Sequence, residues 1–328
     1  MYGVDRLKVV MPLECVEIVD KNVFICKVQG NQLLNMMYKQ MTPFLLDIKL
    51  DYKNFEAVIE FTGKILGNRY PELIRLTNIK QCIDNINALG IISIDRNEIS
   101  HAKVVKCDLT IDTETGDVQD LNKYIKNNIA NYDIYVVKLK KNGNLIIEKN
   151  VNTNKCKRRL TIYNKEKEMN MASNKMFLSE YFNGQNPFIG KCRFEMNLKT
   201  AESIRQVLNI ESPTVWNVLV SARVKNPIRD FLSDVLVETE NVRCTPNLKA
   251  YWYDLTLADN DNDMQKVYNK LKSLCAKGTK INRTIKPIRE RLETRDYTMR
   301  LFTRDKVLDM ITRETRISSF DVAGYPSL

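Results

Sequence analysis

The segment Arg158-Arg159-Leu160-Thr161-Ile162-Tyr163-Asn164-Lys165-Glu166-Lys167-Glu168 carries residue types from which a covalent nucleophile could be built. Alternate side chains of a β-strand share a face, so Leu160 and Ile162 are expected to pack inward while Thr161, Tyr163 and Lys165 look the other way. A neutral phenol, with a reference pKa near ~10, is a weak nucleophile, and a nearby cation favouring the phenolate is the activation it requires. Tyr163 and Lys165 have that form, although the same alternation belongs to many solvated strands. Three further predicted strands offer polar groups to the same face: Glu60; Asp108, Thr110 and Asp112; and Arg193, Glu195 and Asn197. Carboxylates on adjacent strands, within ~2.0–2.6 Å of a divalent ion, could polarise a phosphate and neutralise transition-state charge. The plainer alternatives are that Asp112, followed by Thr-Glu-Thr-Gly-Asp, opens a turn, and that Glu195 pairs with Arg193 or Lys199 on an exposed strand.

Composition narrows the chemistry. The single histidine, His101, excludes two-histidine metal sites within one chain and leaves little room for a histidine triad, so a metal would rest on carboxylates, which suit Mg²⁺ or Mn²⁺. The eight cysteines show no Cys-x-x-Cys spacing, and most of them read as small reduced core residues. No nucleotide-binding glycine loop of the Gly-x-x-x-x-Gly-Lys-Ser/Thr or Gly-x-Gly-x-x-Gly type occurs. With 44% hydrophobic and 28% charged residues over 328 positions, the chain is an ordinary globular sequence with room for one large or two smaller domains. It has no apolar run of membrane-spanning length, and its start lacks the order of a secretory signal, so a cytoplasmic protein without a membrane partner is expected. A net charge of +11 favours a polyanionic partner, above all nucleic acid, although the same excess occurs in unrelated cytosolic proteins and in membrane-surface binders.

The elements that must position these groups follow from periodicity. Strands are predicted over Arg6 to Met11, Asn22 to Val28, Phe55 to Phe61, Val104 to Asp112, Tyr132 to Leu139, Leu145 to Val151 and Lys191 to Leu198, besides the one carrying Tyr163. Asn142-Gly143 marks a hairpin, so the sheet is at least partly antiparallel. Helices are predicted where Leu33, Leu34, Met36, Met37 and Met41 follow Gly30, over Ile79 to Leu89 with Thr77 as cap, over Val118 to Ile129, after a Thr200 cap, and over Val215 to Val220 and Ile228 to Val235. The fold class is α+β: a mostly antiparallel central sheet with helices packed on one face and a β-α-β arrangement appearing twice, then a helical C-terminal region. The expected division is a domain over 1–210 and a basic, mainly helical region over 211–328 for DNA contact or dimerisation. From Lys266 to Arg316 the polar positions are rich in Lys and Arg, which reads either as a solvated helix face or as a DNA-backbone surface.

Three segments in order, Cys-Asp-Leu-Thr-Ile-Asp at 107–112, the Tyr163 segment at 158–168, and Cys-Arg-Phe-Glu-Met-Asn-Leu-Lys at 192–199, resemble the rolling-circle replication initiators of filamentous phages. The Ile-Tyr-Asn-Lys core is also similar to that of the initiators of small Gram-positive plasmids, and a looser likeness reaches Asp5 to Val10 and Val58 to Phe61. The resemblance implies a nicking-enzyme-like palm and a site-specific nickase that joins Tyr163 to a 5′-phosphate and leaves a 3′-hydroxyl to prime synthesis. It casts Lys165 as stabiliser of the phenolate or of the charge at phosphorus, and Glu60, Asp108 and Glu195 as ligands of Mg²⁺ or Mn²⁺, with Asp112 and Glu168 in reserve. The absence of a His-hydrophobe-His motif fits these two branches. Implied partners are origin DNA, single-stranded or supercoiled, and a bacterial host's helicase and polymerase; monomer and homodimer stay open. Two other classes compete: a non-catalytic origin- or operator-binding protein, and a metal-dependent nuclease that attacks with water.

Overall fold

The computed structural model describes residues 2–115, 117–129, 134–149, 158–236, 248–260, 262–274 and 281–313. In chain order the strands are β1 (Tyr2–Pro12), β2 (Val16–Ile18), β3 (Ile25–Gln29), β4 (Gln32–Gln40), β5 (Leu46–Asp51), β6 (Glu56–Thr62), β7 (Ile92–Ile94), β8 (Lys103–Glu114), β9 (Tyr135–Leu139), β10 (Leu145–Lys149), β11 (Arg158–Asn164) and β12 (Lys191–Leu198). The α-helices are α1 (Ile79–Asn87), α2 (Val118–Asn127), α3 (Lys165–Met169), α4 (Lys175–Phe182), α5 (Ala201–Leu208), α6 (Val215–Val224), α7 (Pro227–Val235), α8 (Leu248–Ala258), α9 (Met264–Leu274), α10 (Ile281–Leu301) and α11 (Arg304–Arg313). The protein is thus α+β, as expected. No helix among the described residues is long and apolar enough to cross a membrane.

Ten strands form one sheet in the order β3-β4-β5-β6-β1-β8-β12-β11-β10-β9, with every neighbouring pair antiparallel; β2 and β7 form a separate pair. The path repeats. In each half a first strand (β1 or β8) lies at the centre, the chain crosses to the outer edge (β3 or β9), and four strands meander back until the last (β6 or β12) pairs with the first. The crossover helix α2 occurs only in the second half; the first half uses β2 and short 3₁₀ turns.

Period-two alternation divides the sheet into two faces. Leu7, Val9, Ile59, Phe61, Cys107, Leu109, Phe194, Met196, Leu160 and Ile162 lie on the apolar face, each 0–1% exposed. They join one core with Ile83 of α1, Leu121 of α2, Ile204 of α5, Leu219 of α6, Leu232 of α7 and Ile311 of α11. This core runs on across residue 210, so α6, α7 and α11 help to close the apolar face, while α8, α9 and α10 contribute a separate cluster around Leu257, Val267 and Ile288. The opposite, polar face carries the candidate chemistry. A second small core of Tyr70, Met169, Phe177, Leu178 and Phe188 lies beside its Arg193 and Lys165.

Local rules account for the framing elements. Thr200 and Ser203 form a capping box at α5, the Asp117 side chain caps α2, and Asn226 caps α7 with Pro227 at its start. Two expectations are corrected and one strand is added. The residues after Gly30 form β4 rather than a helix, because Gly30 has φ 58° and the two-residue Gly30-Asn31 loop folds the chain back against β3. Between the predicted strands lies a further one, β5, in which Leu46, Ile48 and Leu50 alternate with Asp47, Lys49 and Asp51. Lys165 begins α3 instead of extending the strand, because the Asn164 side chain accepts from Lys167 N and caps a helix there. Residues 130–133 and 150–157, the ends of two predicted strands, lie outside the described residues, as do Lys277, Lys280 and 314–328.

The 3₁₀ segment Gly63–Glu72, which carries Tyr70, bends at Gly67, whose φ is 60°. A Cβ there would lie 2.7 Å from the Tyr181 ring. Gly67→Ala is therefore expected to lower unfolding free energy by about 1–3 kcal/mol, measured by urea denaturation; an unchanged midpoint would contradict this packing.

Candidate active site

Tyr163 is half-buried, and its hydroxyl donates to Glu195 Oε2 at 2.9 Å. The other oxygen of that carboxylate accepts from the Asn197 amide at 2.9 Å, and the same nitrogen donates to Asp108 Oδ1 at 2.9 Å. One amide thus holds two carboxylates together beside a phenol. Strand register explains the meeting: Glu195 and Asn197 are successive outward positions of β12, with Asn197 opposite Asp108 on β8 and Glu195 opposite Thr161 on β11. Burial, and then the charge of Glu195, push the Asp108 carboxyl up to about 7. The same two causes hold the Tyr163 phenol well above its ordinary value, with Arg193 opposing them. The resting site is therefore a neutral phenol donating to a carboxylate, not a phenolate stabilised by lysine.

Lys165 is turned to other partners than that hydroxyl. Its ammonium, on a residue 2% exposed, donates to Tyr70 Oη at 2.9 Å and to Glu168 Oε2 at 2.6 Å. Burial and Arg193 act to lower its pKa, but Tyr70, Glu168 and Asp5 outweigh them and keep it protonated. Glu168, a reserve ligand in the sequence reading, is thus this lysine's counterion.

Behind Tyr163 lies a buried guanidinium. Arg193, 0% exposed, grips Asp112 through Nε to Oδ1 and Nη2 to Oδ2, both at 2.6 Å. Its Nη1 donates to Tyr70 Oη at 3.0 Å and lies 3.2 Å from Asp5 Oδ1. Asp112 therefore has both oxygens committed to a cation, which sets it apart from the Asp108 and Glu195 pair. Asp5 reaches inward because β1 shifts register between Val4 and Arg6, and such a bulge re-aims a side chain. Burial works against its ionisation, but Arg193, Lys165 and a hydrogen bond from Tyr70 hold Asp5 below its ordinary value. Neither Tyr70 nor Asp5 is among the candidate residues that the sequence pattern offers.

Glu60 likewise stands apart from the other acids. It accepts from Lys106 at 2.6 Å and lies 3.3 Å from Lys8 and 3.7 Å from Arg6. Burial would raise its pKa, but the two lysines bring it below the ordinary value. Among the described residues no group of three or more His, Cys, Asp or Glu side chains converges to hold a metal. The donor set that does suit a hard cation is the Asp108 and Glu195 pair, since these are oxygen ligands held side by side by one amide, with Arg6 Nε 3.7 Å from Asp108 Oδ2. In the C-terminal region, Arg291 is bound to Asp254 at 3.0 and 2.9 Å and Arg304 to Ser233 Oγ at 2.8 Å, so these two basic residues serve internal contacts.

Compared with protein-family models, characterised proteins and solved structures, the chain has no significant match.

Two outcomes follow from this geometry. Folded Asp108 binds its proton more tightly than the unfolded residue, whose value is 3.8, so stability should fall as pH rises between about 4 and 7, with the loss complete above that window. Asp108→Asn should remove that part of the slope in thermal unfolding curves, and Mn²⁺ above pH 7 should raise the Tm of the wild type but not of Asp108→Asn. Equal slopes in both proteins would contradict the assignment. Separately, Arg193→Met strands two acids and should cost about 3–5 kcal/mol; a loss below about 1 kcal/mol in urea unfolding would show that the guanidinium is not what holds them.

Proposed function

We propose that this chain is a DNA strand-nicking and strand-joining enzyme that initiates rolling-circle replication, with Tyr163 as its nucleophile. The observation that supports this reading most is the 2.9 Å hydrogen bond from the Tyr163 hydroxyl to Glu195, within a carboxylate pair completed by Asp108. An acceptor already in line with the phenolic proton is the arrangement that general-base activation of a tyrosine needs. The order of the three sequence segments supports it too, because they form β8, β11 and β12, which are adjacent in the sheet.

The chemistry balances without an organic cofactor. Tyr163 Oη attacks phosphorus while its proton passes to Glu195 Oε2. The Oη–P bond forms, the P–O3′ bond breaks, and the leaving O3′ takes a proton from solvent, giving a 3′-hydroxyl and a 5′-phosphotyrosine. One phosphodiester is exchanged for another, so attack by a 3′-hydroxyl reverses the step and rejoins DNA without ATP. A divalent ion held by Asp108 and Glu195, Mg²⁺ or Mn²⁺, would supply Lewis-acid polarisation of the phosphate. Arg193 contributes a fixed positive field behind the phenol, and Lys165 acts through Tyr70 and Glu168 rather than by touching Tyr163.

The test is transfer of label from DNA to protein on denaturing electrophoresis. Radiolabelled DNA of the genetic element encoding the chain, supercoiled and single-stranded, is incubated with protein and Mg²⁺ or Mn²⁺. Wild type should acquire label. Tyr163→Phe should acquire none while keeping its DNA affinity within about twofold, and Glu195→Gln should slow transfer by roughly 10²–10⁴-fold. Cleavage to free ends by Tyr163→Phe would instead support hydrolysis by water, and DNA binding by wild type without cleavage a non-catalytic origin- or operator-binding protein.

A further inference from the structure

Glu60 holds three cations where one would neutralise it. Lys106 donates to Oε1 at 2.6 Å, Lys8 lies 3.3 Å from Oε2, and Arg6 lies 3.7 Å from Oε1. The four residues come from three neighbouring strands, with Lys8 opposite both Glu60 on β6 and Lys106 on β8. The cationic side chains are 35%, 36% and 27% exposed, against 11% for the carboxylate, so the positive heads face outward over a nearly buried anchor. Like charges gathered this closely repel one another, and a second anion laid over them would relieve that repulsion.

The geometry points to Arg6, Lys8 and Lys106 as a subsite for a backbone phosphate of single-stranded DNA, a few nucleotides from the bond that is cut. The identity of the polymer rests on the nicking reading; the presence of a phosphate site rests on the cluster itself. Two observations give the subsite its place. Arg6 also lies 3.7 Å from Asp108 Oδ2, so the cluster abuts the carboxylate pair beside Tyr163. In addition, β1 stands three strand steps from β11, roughly 14 Å at ~4.8 Å per step. A strand lying flat across this face would pass from the basic cluster to the tyrosine, and cations set in one plane suit an extended single strand. Glu60 then acts as a positioning residue that keeps three repelling heads together. This is a different role from metal ligation, and it has different consequences on substitution.

The test uses the full chain in EDTA and a fluorescein-labelled oligothymidylate, with binding followed by anisotropy over a series of salt concentrations. Lys8→Gln and Lys106→Gln should each weaken binding about three- to tenfold at low salt and each reduce the slope of log affinity against log salt by about 0.7. Lys8→Arg should restore both quantities. Glu60→Gln removes the charge that gathers the three cationic heads, so it should weaken oligonucleotide binding at low salt in the same direction as the lysine variants. Unchanged slopes in the lysine variants would overturn the subsite, as would a folded Glu60→Gln that binds DNA normally. If Lys106→Gln fails to fold by circular dichroism, Arg6→Gln takes its place. Equal effects on a duplex of the same length would overturn the single-strand assignment. Failure of wild type to form any adduct would remove the nicking reading while leaving the salt slopes to decide the subsite.

Discussion

A guanidinium with no access to water fixes the strands that carry the candidate site. Arg193 is a direct partner of Asp112 on one side and of Tyr163 on the other, and it is 0% exposed. An unpaired buried charge is costly enough to unfold a domain, so β8, β12 and β11 must meet in the register that supplies Asp112, and β1 must bulge so that Asp5 arrives too. Tyr70, held at the end of a kinked 3₁₀ segment, accepts from both Arg193 and Lys165 and closes the network. Once that register is set, the next outward position of β12 is Glu195, and Tyr163 has its hydrogen-bond partner.

Charge is sorted across the polar face into three groups with different chemistry. Around Arg193 and Lys165, acids and cations neutralise one another out of solvent and serve position. Around Asp108 and Glu195, two acids share one amide, and burial and then the charge of Glu195 raise Asp108 to about 7. Around Glu60, positive charge is in excess. The proposed attack of a phenol on a phosphodiester would call on all three: a rigid support for the nucleophile, an acceptor for its proton with oxygen ligands for a cation, and a hold on the flanking backbone.

Much of this was legible in the sequence because period-two alternation is strong where one strand face is buried. The bounds of β12, Lys191–Leu198, follow directly from Cys192, Phe194, Met196 and Leu198 alternating with Arg193, Glu195 and Asn197. What failed did so for local reasons. Leu33, Leu34, Met36 and Met37 are good helix formers at helical spacing, but the Gly30-Asn31 loop and burial of Met36 within the sheet overrode that propensity. Lys165 lies two residues beyond Tyr163, yet the Asn164 cap ends the alternation between them, so the lysine serves Tyr70 and Glu168. The separate roles of Glu60 and Asp112 were hidden because a strand pattern shows which face an acid occupies but not which cation sits beside it. Tyr70 and Asp5 left no periodic signal at all, since one lies in a 3₁₀ segment and the other in a bulge.

The claim on which the account rests is that DNA phosphorus is taken up by one particular phenolic oxygen. Peptide mapping by mass spectrometry after nuclease and trypsin digestion of the protein–DNA adduct tests it most directly. The nucleotide mass is expected on the peptide Leu160-Thr-Ile-Tyr-Asn-Lys165, localised to Tyr163 by fragmentation. Nucleotide found on any other residue, Tyr70 included, would contradict it.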